Sequence, residues 1–111
     1  MQVIDLVAQA AGLERAWSSR LLGEVGTAGL KVLRMDALPL AEETHSVAEA
    51  LLVLDGCLEL TVDGRPVAVR AGELAVVPAG SPHAVRPGSR GTLVIVEVPE
   101  PSHRAGDAQN S

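Results

Sequence analysis

Gly72-Glu73-Leu74-Ala75-Val76-Val77-Pro78-Ala79-Gly80-Ser81-Pro82-His83 is the stretch whose reading decides how this chain folds. A four-residue aliphatic run of strand length enters a corner built from two prolines and a glycine, and the corner delivers a histidine. The prolines restrict their neighbours and Gly80 is free to take a left-handed backbone, so the turn is tight and rigid. Upstream stands Glu43-Thr44-His45, with Glu49 four residues later. Between Glu49 and His83 the sequence reads as strands, so a folded sheet can bring His45, Glu49 and His83 together.

Working outward, residues 50–54 form an almost purely aliphatic run, the pattern of a strand buried on both sides. Asp55-Gly56 then reads as a hairpin turn. Residues 57–62 alternate, with Leu58, Leu60 and Val62 on one face and Cys57, Glu59 and Thr61 on the other. Asp63-Gly64 and Ala71-Gly72 are further turns, with Pro66 at the entry of the strand between them. Residues 30–35 alternate as well, placing Lys31, Leu33 and Met35 opposite Leu30, Val32 and Arg34. Residues 92–98 form the last strand. Residues 3–11 alone have helical spacing, with Gly12 as the stop, and read as a lid or dimer contact rather than as core. Many short strands with a turn every eight to ten residues point to an all-β sandwich or barrel. The expected organisation is a helix and lead-in over residues 1–20, a barrel over 21–98 and a disordered polar tail over 99–111, in which His103 is inert.

Composition narrows the function classes. Apolar residues make up 47% of the 111, which excludes a disordered chain and fits one domain. There is no Phe or Tyr and one Trp, so the core and any pocket are aliphatic, and Trp17 is the single candidate for stacking. A net charge of −5 with scattered basic residues argues against a nucleic-acid partner. No secretory signal or membrane-length apolar run is visible, and a cytoplasmic protein is expected. One cysteine, Cys57, excludes an internal disulfide and reads as a small half-buried apolar residue rather than a reactive thiol.

From Glu43 to His83 the chain resembles the cupin superfamily, whose members are double-stranded β-helix (jelly-roll) barrels. His45, three residues, Glu49, six residues and Gly56 fit the first cupin motif, with Glu43 where its first histidine would stand. Gly72, Pro78, Gly80 and His83 fit the second motif in register, while Pro87 takes the place of its asparagine. The resemblance implies a jelly-roll barrel with a short N-terminal helix, and a single divalent ion (Fe, Mn, Ni, Co or Zn) held by Glu43, His45, Glu49 and His83. Two imidazoles with one or two carboxylates form a mixed nitrogen and oxygen set that suits such ions. A second register, in which Glu42 and Thr44 take the places of the histidine pair and His45 falls outside the set, stays open. So do two functions. One is a metal-dependent enzyme of dioxygenase, isomerase or lyase type, and the other a metal-free domain that binds or senses a small molecule. A small-molecule ligand in the barrel and a homodimer formed through residues before Met35 are the expected partners.

Overall fold

The computed structural model describes residues 1–100. One short helix, α1 (Leu6–Ala11), precedes eight strands: β1 (Arg20–Val25), β2 (Ala28–Met35), β3 (Leu40–Glu43), β4 (Glu49–Val62), β5 (Arg65–Arg70), β6 (Leu74–Val77), β7 (His83–Val85) and β8 (Arg90–Glu97). Every pairing is antiparallel, and the strands form one curled sheet in the order β1-β2-β8-β4-β7-β3, with β5 and β6 also hydrogen-bonded to β4. This is the all-β, double-stranded β-helix expected, opened as a half-barrel with a short helix at its start. Among the described residues, no helix is long and apolar enough to cross a membrane.

The hub is β4. Its first half lies between β6 and β8, and its second half between β5 and β7. Fourteen residues in one strand correct the sequence reading at Asp55-Gly56, where a hairpin turn was expected. The chain does not reverse there. It runs through a register shift between Val53 and Asp55, and Gly56 takes φ +78° while facing Gly91 at φ +101° across the ladder. A Cβ built on Gly56 would stand 2.0 Å from the Arg90 carbonyl oxygen, and one on Gly91 would stand 2.1 Å from that of Asp55. The two glycines thus serve a close backbone crossing, which composition alone does not distinguish from a turn. By contrast Asp63-Gly64 does close a two-residue hairpin, with φ +50° and +78° as a type I′ turn needs.

Alternation sorts side chains to the two faces of the sheet. Leu33, Met35, Leu51, Val53, Leu58, Leu60, Leu93 and Ile95 form the inner core. Val32 and Val94 point the other way and meet Ala10 of α1, with Leu6, Leu22, Leu52 and Leu54 around them. Hence α1 contributes to a core cluster on the outer face of the sheet, where the sequence reading expected a lid or dimer contact rather than core. It starts one turn later than expected because Asp5 caps it, accepting the Ala8 N–H at 3.1 Å, and it buries Ala10 against the outer face of the sheet.

Candidate metal centre

The corner that opened the reading does more than turn the chain. Gly80, at φ +82°, donates its N–H to the His45 carbonyl at 2.9 Å, so the rigid loop of the second motif holds the histidine of the first. His45 itself lies just beyond the end of β3. Glu49 is the first residue of β4, and His83 the first of β7, in register with Glu43 on β3. Glu49 is 5% exposed and His83 9%, on a sheet whose other inner residues are almost all aliphatic. One ligating atom from each of His45, Glu49 and His83 lies within 4.8 Å of the others, and the two rings stand 5.3 Å apart between centroids.

The residues of the second register stand apart from this group. Glu42 and Thr44 are exposed, whereas Glu43 is half-buried, with Oε1 at 3.1 Å from His45 Nε2. Glu43 borders the same cavity but stands outside the three-residue group. Cys57 lies elsewhere, its thiol pushed up by the Glu59 carboxylate at 3.2 Å and further by burial, which favours the protonated form.

Hydrogen bonding decides the tautomers. His83 Nδ1 lies 3.0 Å from the Ser81 carbonyl, which can only accept, so Nδ1 carries the hydrogen and Nε2 presents a lone pair. His45 Nδ1 lies 2.9 Å from Glu100 Oε1. That carboxyl is held down to about 2 by the Ser46 backbone N–H, by His45 and by the Ser46 hydroxyl, so it too accepts only. Both Nε2 atoms therefore face the site as acceptors, and each meets another acceptor: His83 Nε2 is 3.1 Å from Glu49 Oε1, and His45 Nε2 is 3.1 Å from Glu43 Oε1. His45 Nε2 and Glu49 Oε2 are buried with no hydrogen-bond partner. Lone pair facing lone pair in a buried site demands a positive charge between them, either a proton or a metal ion. The donor set fits the ion that the sequence resemblance implies.

Without metal, protons take that role. Donation of a hydrogen bond to the Glu49 carboxylate raises the His83 pKa above its ordinary 6.5, against the opposing effect of burial, with the Ser81 carbonyl and the charges of Glu49 and Glu43 adding to the rise. Burial pushes the Glu49 carboxyl up, but hydrogen bonds with His83 and Glu97 and the charges of both imidazoles bring it below 4.5 in sum. Glu97 behind it is raised, first by burial and also by Glu49, although Lys31 binds it at 2.9 Å. The signs follow from linkage. Stability from His83 is full below 6.5 and is lost as pH rises through its raised value. That from Glu49 is present above 4.5 and is lost as pH falls through its lowered value, while that from Glu97 declines as pH rises above 4.5. The metal-free chain is thus expected to melt at a falling temperature as pH is raised above 6.5, a trend measured by thermal scans of chelated protein. A melting temperature independent of pH there would contradict the protonated pair.

The cavity beside these groups is small. It offers about 40 Å³ to the centre of a water molecule, lined by Trp17, Leu33, Leu40, Leu51, Leu60 and Ile95 among other aliphatic side chains, with Glu43, Glu49 and His83 at one end. A closed cavity that takes up benzene has ~150 Å³, so this half-open space takes water, or part of a small ligand whose remainder lies in its mouth. Trp17 was visible in the sequence as a stacking residue but not as a wall of this site. Nothing in the sequence pointed to Glu100, which falls in the stretch expected to be an unattached tail. The rest of that expected tail, with His103, lies outside the described residues.

Comparison with known proteins agrees with this geometry. The family model of the cupin domain matches residues 36–99. The chain belongs to the cupin family. Part of this cupin is 45% identical, over 62 residues, to quercetin 2,3-dioxygenase of Bacillus subtilis; the match takes in 54% of the chain and 18% of that enzyme. Among solved structures, a cupin-2 domain containing protein from Shewanella frigidimarina superposes with a TM-score of 0.79 at 21% identity, covering 87% of this chain and 95% of that one. Hydroquinone 1,2-dioxygenase from Sphingomonas superposes with a TM-score of 0.80 at 21% identity, covering 91% of this chain and 33% of that one. The cupin described here thus spans about a fifth of the length of the quercetin enzyme and a third of the hydroquinone one. At 21% identity the structural likenesses speak to the fold.

Proposed function

We propose that this cupin binds one divalent metal ion through His45, Glu49 and His83, with Glu43 beside them, and acts on a small organic molecule in the manner of a dioxygenase. The observation that carries the reading is the pair of acceptor-to-acceptor contacts, each at 3.1 Å, in a site where both Nδ1 atoms are already committed. Two imidazoles and one carboxylate with open positions are the ligand set of non-haem iron(II) oxygenases. The quercetin 2,3-dioxygenase likeness favours that chemistry over an isomerase or lyase. A bound ion would supply Lewis acidity and open coordination positions to the reaction. The protein's own part is to fix both rings in the ligating tautomer, to hold Glu49 as a carboxylate against burial, and to close the site with an aliphatic wall that limits water.

Metal analysis of protein purified without a histidine tag tests the reading. One equivalent of a transition metal per chain is expected, removable by chelation and restored by anaerobic reloading with iron(II), manganese(II), cobalt(II), nickel(II) or zinc(II). No bound metal after reloading with any of these would leave a metal-free binding or sensing domain as the surviving function. We also propose a homodimer through the N-terminal portion, because β1 ends the sheet, paired on one side with β2, and leaves Leu21 and Val25 largely exposed at that edge. Sizing the chain with and without its first 20 residues checks this, and a monomer in both cases would exclude it.

A further inference from the structure

We infer that Trp17 is the residue that determines what enters this site, and that it selects a small, uncharged, planar ring over an aliphatic molecule of the same size. The inference concerns the use of the site proposed above and rests on that reading, but the wall itself is built without any ion. Three observations carry it. Trp17 is the chain's only aromatic residue other than histidine, in a protein with no Phe or Tyr, yet it borders the half-open apolar cavity beside the His45–Glu49–His83 group. It is held there at a strained backbone, φ +66°, which side chains other than glycine rarely adopt. It is also fastened at both ends: its N–H donates to the Arg34 carbonyl at 2.8 Å and its indole Nε1–H to Asp36 Oδ1 at 2.9 Å.

A tryptophan needed only as filler would not require a left-handed backbone and a carboxylate anchor. An aliphatic residue would close the core as well, as it does everywhere else in this chain. What indole adds is a broad π-surface with no other aromatic partner, since the remaining apolar lining is aliphatic, Leu33, Leu51, Leu60 and Ile95 among it. The charge of the ligand follows from the same lining. It includes Glu43 and Glu49 but no Lys or Arg, and His83 is already paired with Glu49, so a carboxylate entering the metal-free site meets two like charges and no unpaired cation. The volume sets the size: about 40 Å³, against the ~150 Å³ of a closed cavity that takes up benzene, lets one ring enter by an edge with the rest in the open mouth, and leaves no room for two fused rings. Trp17 also precedes residue 36, where the family match begins, so this wall belongs to the chain's own N-terminal portion.

The test uses phenol, cyclohexanol and benzoate with the full chain after chelation, so that failure of the metal reading leaves it intact. The single indole N–H resonance and the Ile95 methyl resonance report binding, the latter also in variants. Phenol is expected to bind roughly two- to ten-fold more tightly than cyclohexanol, the range an aromatic pair contributes, and benzoate more weakly than phenol. Trp17→Leu should erase the preference for phenol over cyclohexanol, whereas Trp17→Phe should keep it. Equal affinity for phenol and cyclohexanol, no saturable shift with phenol, tighter binding of benzoate, or an undiminished preference in Trp17→Leu would each overturn the inference. Should Trp17→Leu not fold, the comparison of native protein with Trp17→Phe across the three ligands decides alone. Metal content, measured separately, reports on the metal reading.

Discussion

Gly56→Ala is expected to prevent the protein from accumulating as a folded, soluble chain. Two effects coincide at this position. The backbone is left-handed at φ +78°, which costs an alanine ~1–2 kcal/mol, and the added methyl would stand 2.0 Å from the Arg90 carbonyl oxygen and 3.0 Å from the Gly91 Cα. Those neighbours are backbone, so they cannot rotate away. Relief requires β4 and β8 to part at the crossing, in the pairing that carries the inner core residues Leu51, Val53, Leu93 and Ile95. A loss above ~4 kcal/mol is expected, against a total stability of ~5–15 kcal/mol for a domain of this size. Gly64→Ala supplies the control, since it has the same φ of +78° and nothing within 4 Å of the added methyl. It should cost only the ~1–2 kcal/mol of conformational strain. Soluble yield of both variants reads the difference, with urea unfolding of any folded protein recovered, and equal yields and midpoints would show that the crossing is not tight in solution.

The second large effect separates metal binding from folding. Glu49→Gln should abolish stoichiometric metal binding while leaving the metal-free chain about as stable as before. The amide keeps the shape of the side chain and can donate to the His83 Nε2 lone pair, which Glu49 Oε1 faces at 3.1 Å. It removes the buried negative charge on which both a proton and an ion depend. His83→Ala should abolish metal binding too, but at a structural cost, because it strands a carboxylate that is 5% exposed and that His83 helps to keep ionised. Breaking a buried pair from one side costs ~3–5 kcal/mol, with partial relief as Glu49 takes up a proton. The two variants are compared by metal content after reloading and by thermal unfolding after chelation. A full equivalent of metal in Glu49→Gln would remove Glu49 from the ligand set. A chelated His83→Ala as stable as the parent would show that the pair does not bear on the fold.

Glu100 bears on the same site from outside the family match. Its carboxylate fixes the His45 hydrogen on Nδ1 and so leaves Nε2 free to face inward. A contact spanning 55 residues of sequence has no local signature, and the polar composition around it argued for an unattached tail.

The sequence by itself determined the class of fold and offered Glu49 and His83 as neighbours, while the part of His45 hung on a register that spacing left open. Period-two alternation in 57–62 and 30–35 specifies which side chains face inward, and the Pro78–Gly80 corner has few backbone solutions, so His83 follows the end of β6 at a defined place. Charge and exposure were not legible in the same way. Whether Glu43 or Glu42 turned inward depended on where β3 ended, which spacing left ambiguous. Whether Asp55-Gly56 reversed the chain depended on what passed beside it. A glycine at positive φ looks the same in a hairpin and at a strand crossing, and only the approach of Arg90 and Gly91 from the far end of the chain tells them apart. The tautomers of His45 and His83, the placement of Trp17 at the cavity and the reach of Glu100 are likewise products of contacts between distant segments. They were decided by the closing of the sheet, because the partners that set them become neighbours only once β4 has gathered its four flanking strands.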